Sequence, residues 1–303
     1  MRPGGQGRGL RSTGLGRRRT RRPGPATGVG HRGGARDRDG TVSDLVDPLP
    51  PGGPTSRDLP TPDRALVIVA HPDDAEFQAG ATLAKWAAAG CRVTHLVLTD
   101  GSKGTWDPDQ DPAALVAARH DEQRAAATVL GAEDPIFLDL IDGELVSGIV
   151  ERGRVAEVIR RVRPDVVVGH DPWTRYRLHP DHHAAGRLCV EGVVAARDPG
   201  FHREQLAAGL TPHRPDALLL FEPDVANHAE TVGEADHARR LGALGAFSSQ
   251  IATTHLYKVE SGAEPGTDPA EAWHARERER LAVPGRWAGC ELAEPFRLIV
   301  DQL

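Results

Sequence analysis

The sequence predicts an α/β fold: a Rossmann-like, doubly wound and mostly parallel sheet that follows a disordered N-terminal arm. Three observations indicate it. Short apolar, β-branched runs alternate with longer helical stretches from about Arg64 onward, as in repeated βα units. Two of these runs stop at His/Asp clusters, and open parallel sheets bind ligands at this carboxyl edge. Residues 1–62 are instead rich in Gly, Pro and Arg, so they cannot bury enough apolar surface to offset chain entropy.

The individual elements follow from local signals. Apolar runs predict strands at residues 65–70, 92–98, 135–138, 165–169 and 217–221. Helical patterns lie at residues 80–89, 112–130, 149–162, 180–196 and about 235–246. Gly131 suits the left-handed position that ends the second helix, Pro164 ends the third, and Pro180 suits the first turn of the fourth. Beyond Pro223 the pattern weakens, and no strand can be placed there from the sequence.

Composition divides the chain into an arm at residues 1–62 and one domain at residues 63–303. The chain carries a net charge of −6, and residues 1–40 hold eleven Arg against two Asp. Subtraction leaves about −15 for the remainder, so the predicted domain is acidic. A nucleic-acid groove needs a basic face on the folded part, and no nucleic-acid partner is therefore expected. A sugar, an amide or another small substrate fits this charge better.

Cysteine usage and hydropathy bear on the compartment. Cys91, Cys189 and Cys290 lie far apart and form no C-x-x-C pair, so neither a disulfide framework nor a thiolate zinc site is indicated. No stretch reaches the ~18 apolar residues of a membrane span, and the Arg-rich start lacks the apolar segment of a secretory signal. We expect a cytoplasmic protein without a membrane partner, and a homo-oligomer is compatible with the sequence.

Two clusters of metal-ligand residues stand about a hundred residues apart. Residues 71–74 read His-Pro-Asp-Asp and residues 179–183 read His-Pro-Asp-His-His. A hydrolytic zinc site needs three neutral or anionic protein ligands and one open position, and two His with one carboxylate form a familiar set. We predict His71, Asp74 and His182 as these ligands, provided that the strands before the two clusters are neighbours in the sheet. The expected ion is Zn²⁺, with Fe²⁺ as the alternative.

The remaining side chains of the two clusters fit the other requirements of amide hydrolysis. Asp73 is adjacent to Asp74 but should point differently, so it could accept a proton from water that the ion has activated. His179 could face the same cavity without binding the ion and stabilise the oxyanion. We expect Asp181 to hold one ring nitrogen of His179 and to favour its cationic form.

A structural interpretation stands beside this functional one. Pro-Asp and Pro-Asp-Asp are ordinary helix starts, where a carboxylate caps free N–H groups and meets the positive end of the helix dipole. Either cluster alone would fit that explanation. Two His-Pro-Asp motifs that each follow an apolar strand favour the metal site.

These residues resemble a known family, the PIG-L or LmbE-like zinc-dependent de-N-acetylases. The resemblance rests on AHPDDAE at residues 70–76, TDGSKG at residues 99–104 and HPDH at residues 179–182, and it spans about residues 66–250. It implies metal binding by His71, Asp74 and His182, with Asp73 as the base and His179 as the oxyanion or acid group. The family often has an acid directly after the paired Asp residues. Here Ala75 intervenes, and we predict no catalytic role for Glu76.

The resemblance also implies two contacts to the substrate. Arg119, in an Arg-x-x-Glu pattern on the long second helix, resembles the family's sugar-facing Arg, and Asp142 resembles a carboxylate that meets sugar hydroxyls. An Arg and an Asp that line a cleft make directional hydrogen bonds to a polyol, although either type is also common as a surface charge or a turn former. Tyr176, on the loop before the second cluster, could donate to the oxyanion or simply pack the loop onto the domain.

The sequence therefore predicts a metal-dependent hydrolase that removes an N-acyl group, chiefly acetyl, from an amino sugar or a related small amide. The alternatives are an amidase of thiol-conjugates or of antibiotic-like acyl amino sugars, and a non-catalytic metal- or carbohydrate-binding domain. The retention of Asp73 and His179 argues against a pure binding domain, which has no use for an uncoordinated carboxylate and imidazole. No Walker spacing and no G-x-S-x-G elbow is present, so nucleotide binding and a serine hydrolase are disfavoured.

Overall fold

A computed structural model describes residues 49–251, 253 and 268–303, and within them a single sheet of eight strands is flanked by helices on both faces. The strands are β1 (Ser56–Arg57), β2 (Arg64–Val69), β3 (Arg92–Thr99), β4 (Ile136–Leu140), β5 (Val166–His170), β6 (Ala217–Phe221), β7 (His228–Val232) and β8 (Leu292–Ile299). The α-helices are α1 (Asp74–Ala88), α2 (Pro112–Leu130), α3 (Ile149–Val162), α4 (Pro180–Arg197), α5 (Arg203–Ala207), α6 (Glu234–Leu244) and α7 (Pro269–Ala288), with a 3₁₀ turn at Ser248–Gln250.

The order of the strands places β2 between β5 and β3, where the direction of the chain along the sheet reverses. The sheet runs β1-β7-β8-β6-β5-β2-β3-β4, and every pair is parallel except the two that β8 makes with β6 and β7. The chain moves from β2 outward to β3 and β4, then returns to the other side of β2 with β5. Open α/β sheets bind their ligands at such a switch point, outside the carboxyl ends of the strands. The predicted doubly wound, mostly parallel fold is confirmed.

Alternation along β2 explains why helices cover both faces. All its residues from Ala65 to Val69 are fully buried. Leu66 and Ile68 belong to one core cluster, together with side chains of α3 and α4, whereas Val67 and Val69 belong to a second cluster with side chains of α1 and α6. Successive side chains of a strand point to opposite faces, so an apolar run without alternation is what a doubly covered strand requires.

Two predicted helix bounds are confirmed by their caps, and one is wrong. The Asp111 carboxylate accepts from Ala113 N at 3.0 Å to start α2, and Gly131 ends it with φ 81°. The first helix was placed at residues 80–89, but α1 begins at Asp74. Asp73 occupies the N-cap position with φ 89°, so the chain turns from the end of β2 into the helix within a few residues. Periodicity missed this first turn because its polar residues, Asp74 and Glu76, are buried.

The boundary at residue 62 stays a prediction, and the structure adds a strand before it. Residues 1–48 of the predicted arm lie outside the described residues. β1 lies in the described part of the arm, and it pairs in parallel with β7. The Asp58 carboxylate then accepts from Thr231 N at 2.8 Å and from Lys85 Nζ at 3.2 Å. The sequence concealed these contacts because a two-residue strand carries no periodic signal.

The region beyond residue 223, where no strand could be placed from the sequence, contributes β7 and β8 to the sheet. It also contains α6 and α7, of which α7 packs against both strands. β8 lies antiparallel between β6 and β7. Behind it, the fully buried Arg240 of α6 donates to the Glu277 carboxylate of α7 at 2.7 Å and lies 3.9 Å from Glu294 of β8. Among the described residues no helix combines the length and the apolar character that a membrane crossing needs.

Deleting N-terminal residues tests whether β1 and Asp58 belong to the folded domain. Removal of residues 1–60 takes away β1 and Asp58, and we expect the melting temperature to fall by roughly 5 °C or more, since each kcal/mol lost lowers it by roughly 2–4 °C in a domain of this size. Removal of residues 1–48 keeps all of these contacts and should leave the melting temperature unchanged. Equal melting temperatures for the two deletions, measured by calorimetry, would contradict the assignment of β1 to the fold.

Candidate metal centre

The two His/Asp clusters meet at the carboxyl edge of the sheet. β2 and β5 are hydrogen-bonded neighbours, with Ile68 level with Gly169, so the segments that follow them leave the sheet side by side. His71 Nδ1 lies 3.3 Å from His182 Nε2, and the Asp74 carboxylate lies 3.4 Å from His71 Nδ1 and 3.3 Å from His182 Nε2. The condition set by the sequence, adjacency of the two strands, is confirmed, and the three predicted ligands come together.

The spacing of these donor atoms fits a tetrahedral metal ion. Ligand atoms that each lie about 2.0–2.1 Å from a tetrahedral Zn²⁺ lie about 3.3–3.4 Å from one another. The three side chains, here called the donor triangle, approach one another pairwise in this range, with Asp74 Oδ2 toward His71 Nδ1 and Asp74 Oδ1 toward His182 Nε2. Two imidazoles and a carboxylate without a basic side chain among them are also the donor set that such an ion prefers. The residues present therefore fit a divalent metal.

Burial and charge prepare this carboxylate for a cation. Asp74 starts α1, is 8% exposed, and accepts from the backbone N–H of His71 at 2.9 Å. Burial alone would raise the pKa of Asp74, but His182 and His170 hold it well below its usual range. Asp74 is thus an anion in a desolvated site, which is costly without a counter-charge.

His170 is a member of the site that the sequence analysis missed. It is the last residue of β5, is 2% exposed, and places Nε2 3.2 Å from the second oxygen of Asp74. It also accepts from Ala70 N at 3.4 Å. His170, Asp74 and His182 have ligand atoms within 4.8 Å of one another, as do His71, His179 and His182, and also His71, Asp142 and Asp181, so these sets are further candidates for the ion. A His directly after the buried run 166–169 was the available signal, and the predicted strand ended one residue too early.

Asp73 contributes no atom to the donor triangle. Its neighbour on one side is Arg119, whose Nη2 lies 3.4 Å from the Asp73 carboxylate. Its backbone N–H donates to Gln123 Oε1 at 3.0 Å. Burial raises the pKa of Asp73 to about 7, with Arg119 opposing the rise and Asp74 adding to it. A carboxyl group with such a pKa exchanges a proton near neutrality.

His179 stands on the open side of the cluster. It is the N-cap residue of α4, and its exposed ring lies edge-on to that of His71 with centroids 4.6 Å apart. Its Nδ1 accepts from Asp181 N at 3.3 Å. Burial lowers the pKa of His179, as do His71 and His182. Asp181 acts in the expected direction and raises the pKa of His179, but burial and the two histidines outweigh it.

The predicted role of Asp181 is corrected. Its fully buried carboxylate lies 3.2 Å from His71 Nε2 and accepts from Gly143 N at 2.6 Å and from Leu145 N at 3.2 Å. It orients His71 and the loop after β4, whereas the sequence predicted that it would orient His179. The physical reason is helical direction: Asp181 lies on the first turn of α4, facing inward, whereas His179 caps the helix from outside.

The loop that Asp181 holds carries Asp142 into the site. Asp142 is 4% exposed, and its Oδ1 lies 3.2 Å from His71 Nε2. Burial alone would raise the pKa of Asp142, but the hydrogen bond with His71 lowers it to about 2. The second predicted substrate contact, Arg119, is 3% exposed and donates to the carbonyls of Pro72 at 2.6 Å and Gly101 at 3.3 Å.

The glycines of the segment TDGSKG have a steric reason. Gly101 has φ 66°, and a Cβ there would lie 2.8 Å from Arg119 Nη1. A Cβ on Gly104 would collide with the same atom. Both glycines thus leave room for the guanidinium of Arg119 beside the site.

Comparison with known proteins identifies the family. The family model described as PIG-L, GlcNAc-PI de-N-acetylase, matches residues 66–193, which include all nine predicted site residues. Diacetylchitobiose deacetylase from Thermococcus kodakarensis is 32% identical over 236 residues, covering 78% of this chain and 83% of that protein. The chain belongs to the PIG-L family.

Two other PIG-L comparisons agree. A 1D-myo-inositol 2-acetamido-2-deoxy-α-D-glucopyranoside deacetylase from Streptomyces avermitilis is 36% identical over 170 residues, which cover 47% of this chain and 57% of that protein. The solved structure of N,N′-diacetylchitobiose deacetylase from Pyrococcus horikoshii, bound to an inhibitor, superposes with a TM-score of 0.69 at 28% identity and covers 79% of this chain and 84% of that one. The deacetylase fold therefore extends over the domain and beyond the matched segment.

Tyr176 is the one predicted site residue that the structure does not bring to the cluster. It is 91% exposed, has φ 61°, and lines a different cavity of about 360 Å³ with side chains of α1, α6 and α7. Its neighbour Arg177 lines the same cavity and also places Nη1 3.1 Å from His182 Nδ1. Which side chain of this loop would meet the site could not be read from the sequence, because the loop has no regular period.

Proposed function

We propose that this PIG-L protein is a zinc-dependent hydrolase that removes the N-acetyl group from an amino sugar, with His71, Asp74 and His182 as the metal ligands. The observation that carries the proposal is the triangle of donor atoms with edges of 3.3–3.4 Å, flanked by a carboxylate and an imidazole that are not part of it. A binding site alone needs only the triangle. Hydrolysis also needs a base and a group for the oxyanion.

The side chains around the triangle divide the chemistry among them. A divalent ion held there would lower the pKa of water and polarise the amide carbonyl. Asp73 accepts the proton of the attacking water and returns it to the leaving amine. His179 faces the site from solvent and donates to the developing oxyanion. Asp181 does not meet substrate and instead fixes the ring of His71.

Arg119 and Asp142 support an amino-sugar substrate. Both are buried beside the triangle, and together they offer N–H donors and a carboxylate acceptor to the hydroxyls of a sugar ring. The relatives are named for N-acetylated substrates of this kind, diacetylchitobiose and a 2-acetamido-2-deoxyglucopyranoside. We assign no contact to Tyr176, which lines the separate cavity.

Acetate release tests the function directly. Protein loaded with zinc should release acetate from N,N′-diacetylchitobiose or from N-acetylglucosamine, and a chelator should abolish the release until zinc is restored. Ferrous iron in place of zinc tests the alternative ion. A metal-replete protein that releases no acid from any N-acyl amino sugar or thiol-conjugate would favour the rival function, a metal- or carbohydrate-binding domain.

Location and assembly belong to the same proposal. Cys91 and Cys189 are buried free thiols, and burial raises their pKa to about 11 and about 12. Thiols that are kept protonated and unpaired support a reducing cytoplasm. This activity is compatible with a homo-oligomer. Light scattering on the purified protein gives the mass in solution and so the number of subunits.

A further inference from the structure

We propose that Gln123, held by Glu76, is a positioning residue that aims the carboxylate of Asp73 at the reaction centre. The inference rests on the proposed function, because it concerns the base of that reaction. Gln123 lies on α2 and Glu76 on α1, and both side chains are fully buried. Neither belongs to the donor triangle, and no role for either was predicted from the sequence.

Two side chains on one face of α2 form hydrogen bonds with the carbonyl and the N–H of the peptide bond between Pro72 and Asp73. Its carbonyl accepts from Arg119 Nη2 at 2.6 Å, and its N–H donates to Gln123 Oε1 at 3.0 Å. Arg119 and Gln123 are four residues apart, so they project from the same side of the helix. The plane of this peptide is therefore fixed relative to α2.

The carbonyl of Asp73 is held as well. It accepts from Phe77 N at 3.1 Å as the first hydrogen bond of α1. With the peptide before Asp73 and the carbonyl after it both fixed, its φ of 89° is enforced from both sides. A non-glycine residue adopts such a conformation only where its surroundings impose it, and strain of this kind concentrates at active sites. The direction of the Asp73 side chain follows from this backbone.

Glu76 sets which end of the Gln123 amide faces Asp73. Gln123 Nε2 donates to Glu76 Oε1 at 2.8 Å, so its oxygen must point the other way, toward the obligatory N–H donor of Asp73. Rotating the amide by 180° would set two N–H groups against each other. His95 Nε2 lies 3.3 Å from the same oxygen of Glu76 and is also fully buried, which closes this network to water.

The first variant removes the hydrogen bonds and keeps the size of the side chain. Gln123→Met should lower kcat for acetate release by about 10–100-fold, the usual effect of losing an outer partner of a site, with KM and zinc content unchanged. A crystal structure of Gln123→Met should show the Asp73 carboxylate displaced by roughly 0.5 Å or more, the tolerance of a productive geometry. Unchanged kcat, or an unmoved Asp73, would overturn the proposal.

A double variant exchanges the donor and the acceptor. In Glu76→Gln combined with Gln123→Glu, the new carboxylate can accept hydrogen bonds from Asp73 N and from the new amide. Both hydrogen bonds are then restored, and the negative charge has moved from residue 76 to residue 123. We expect this pair to recover kcat to within about threefold of the wild type, a difference below 1 kcal/mol. A double variant no better than Gln123→Met would contradict the hydrogen-bond logic.

A stability control separates positioning from folding. Leu130→Val leaves a small cavity in the core beside the same helix and does not alter Gln123 or Glu76. It should lower the melting temperature while kcat stays at the wild-type value. If kcat of Gln123→Met falls only in step with melting temperature and zinc content, the residue is structural and the proposal is wrong. If the wild type itself releases no acetate, the proposed function fails, and the position of Asp73 in the Gln123→Met crystal structure still decides whether Gln123 holds it.

Discussion

Replacing Asp73 with Ala is expected to lower kcat by about 10²–10⁴-fold while zinc stays at about one ion per chain. Asp73 lies outside the donor triangle and pairs with Arg119 at 3.4 Å, so its loss removes a proton acceptor and leaves the ligands in place. Rate and zinc content are measured on the same preparation, by acetate release and by elemental analysis.

Two further variants make this result specific. Asp73→Asn keeps the size of the side chain and removes the proton-accepting charge, and it should be as inactive as Asp73→Ala. Asp74→Ala removes a donor atom and should lose zinc together with activity. A large loss of zinc in Asp73→Ala, with zinc retained in Asp74→Ala, would show that the roles of the two neighbours have been exchanged.

The second large effect is expected from His182→Ala, which should release the metal. His182 Nε2 forms two of the three edges of the donor triangle, with His71 and with Asp74. Removing a direct ligand should weaken zinc binding by more than the 10–100-fold that loss of an outer partner costs. Activity should then be absent at stoichiometric zinc.

The next residue in the chain supplies the matched control. His183 turns away from the triangle, with its two ring nitrogens at the carbonyls of Arg177 and Pro172, 2.8 and 3.4 Å away. His183→Ala should keep its zinc and most of its activity. Loss of zinc from His183→Ala but not from His182→Ala would refute the assignment of the ligands. Zinc retained in both variants would exclude the donor triangle and the set with His170 alike, since each contains His182.

Much of the site could be predicted because it depends on local position in the chain. His71 and Asp74 follow β2 directly, and His182 opens α4, so each is delivered to the carboxyl edge by the element beside it. Alternating βα signals were enough to place those edges together. His170 was missed by one residue, since the end of a buried strand is a boundary that periodicity locates poorly.

Partners across the site could not be predicted, because they depend on packing between elements. The Asp181 carboxylate binds His71 and the loop after β4, where the sequence had suggested His179, its neighbour in the chain. Tyr176 left the site because a loop without a period gives no direction to its side chains. β1 and β8 were not placed for a related reason: they pair with strands far away in the chain.

The sequence by itself determined the class of fold, the two clusters and the chemistry their residue types allow. Those properties are carried by short segments, where the period of apolar residues and the identity of polar ones are visible. Only the tertiary structure decided which nitrogen faces which oxygen, that Asp73 is held by α2 through Arg119 and Gln123, and that β1 pairs with β7. Distances of a few ångströms between segments a hundred residues apart are set by the packing of helices on the sheet, and no local pattern encodes them.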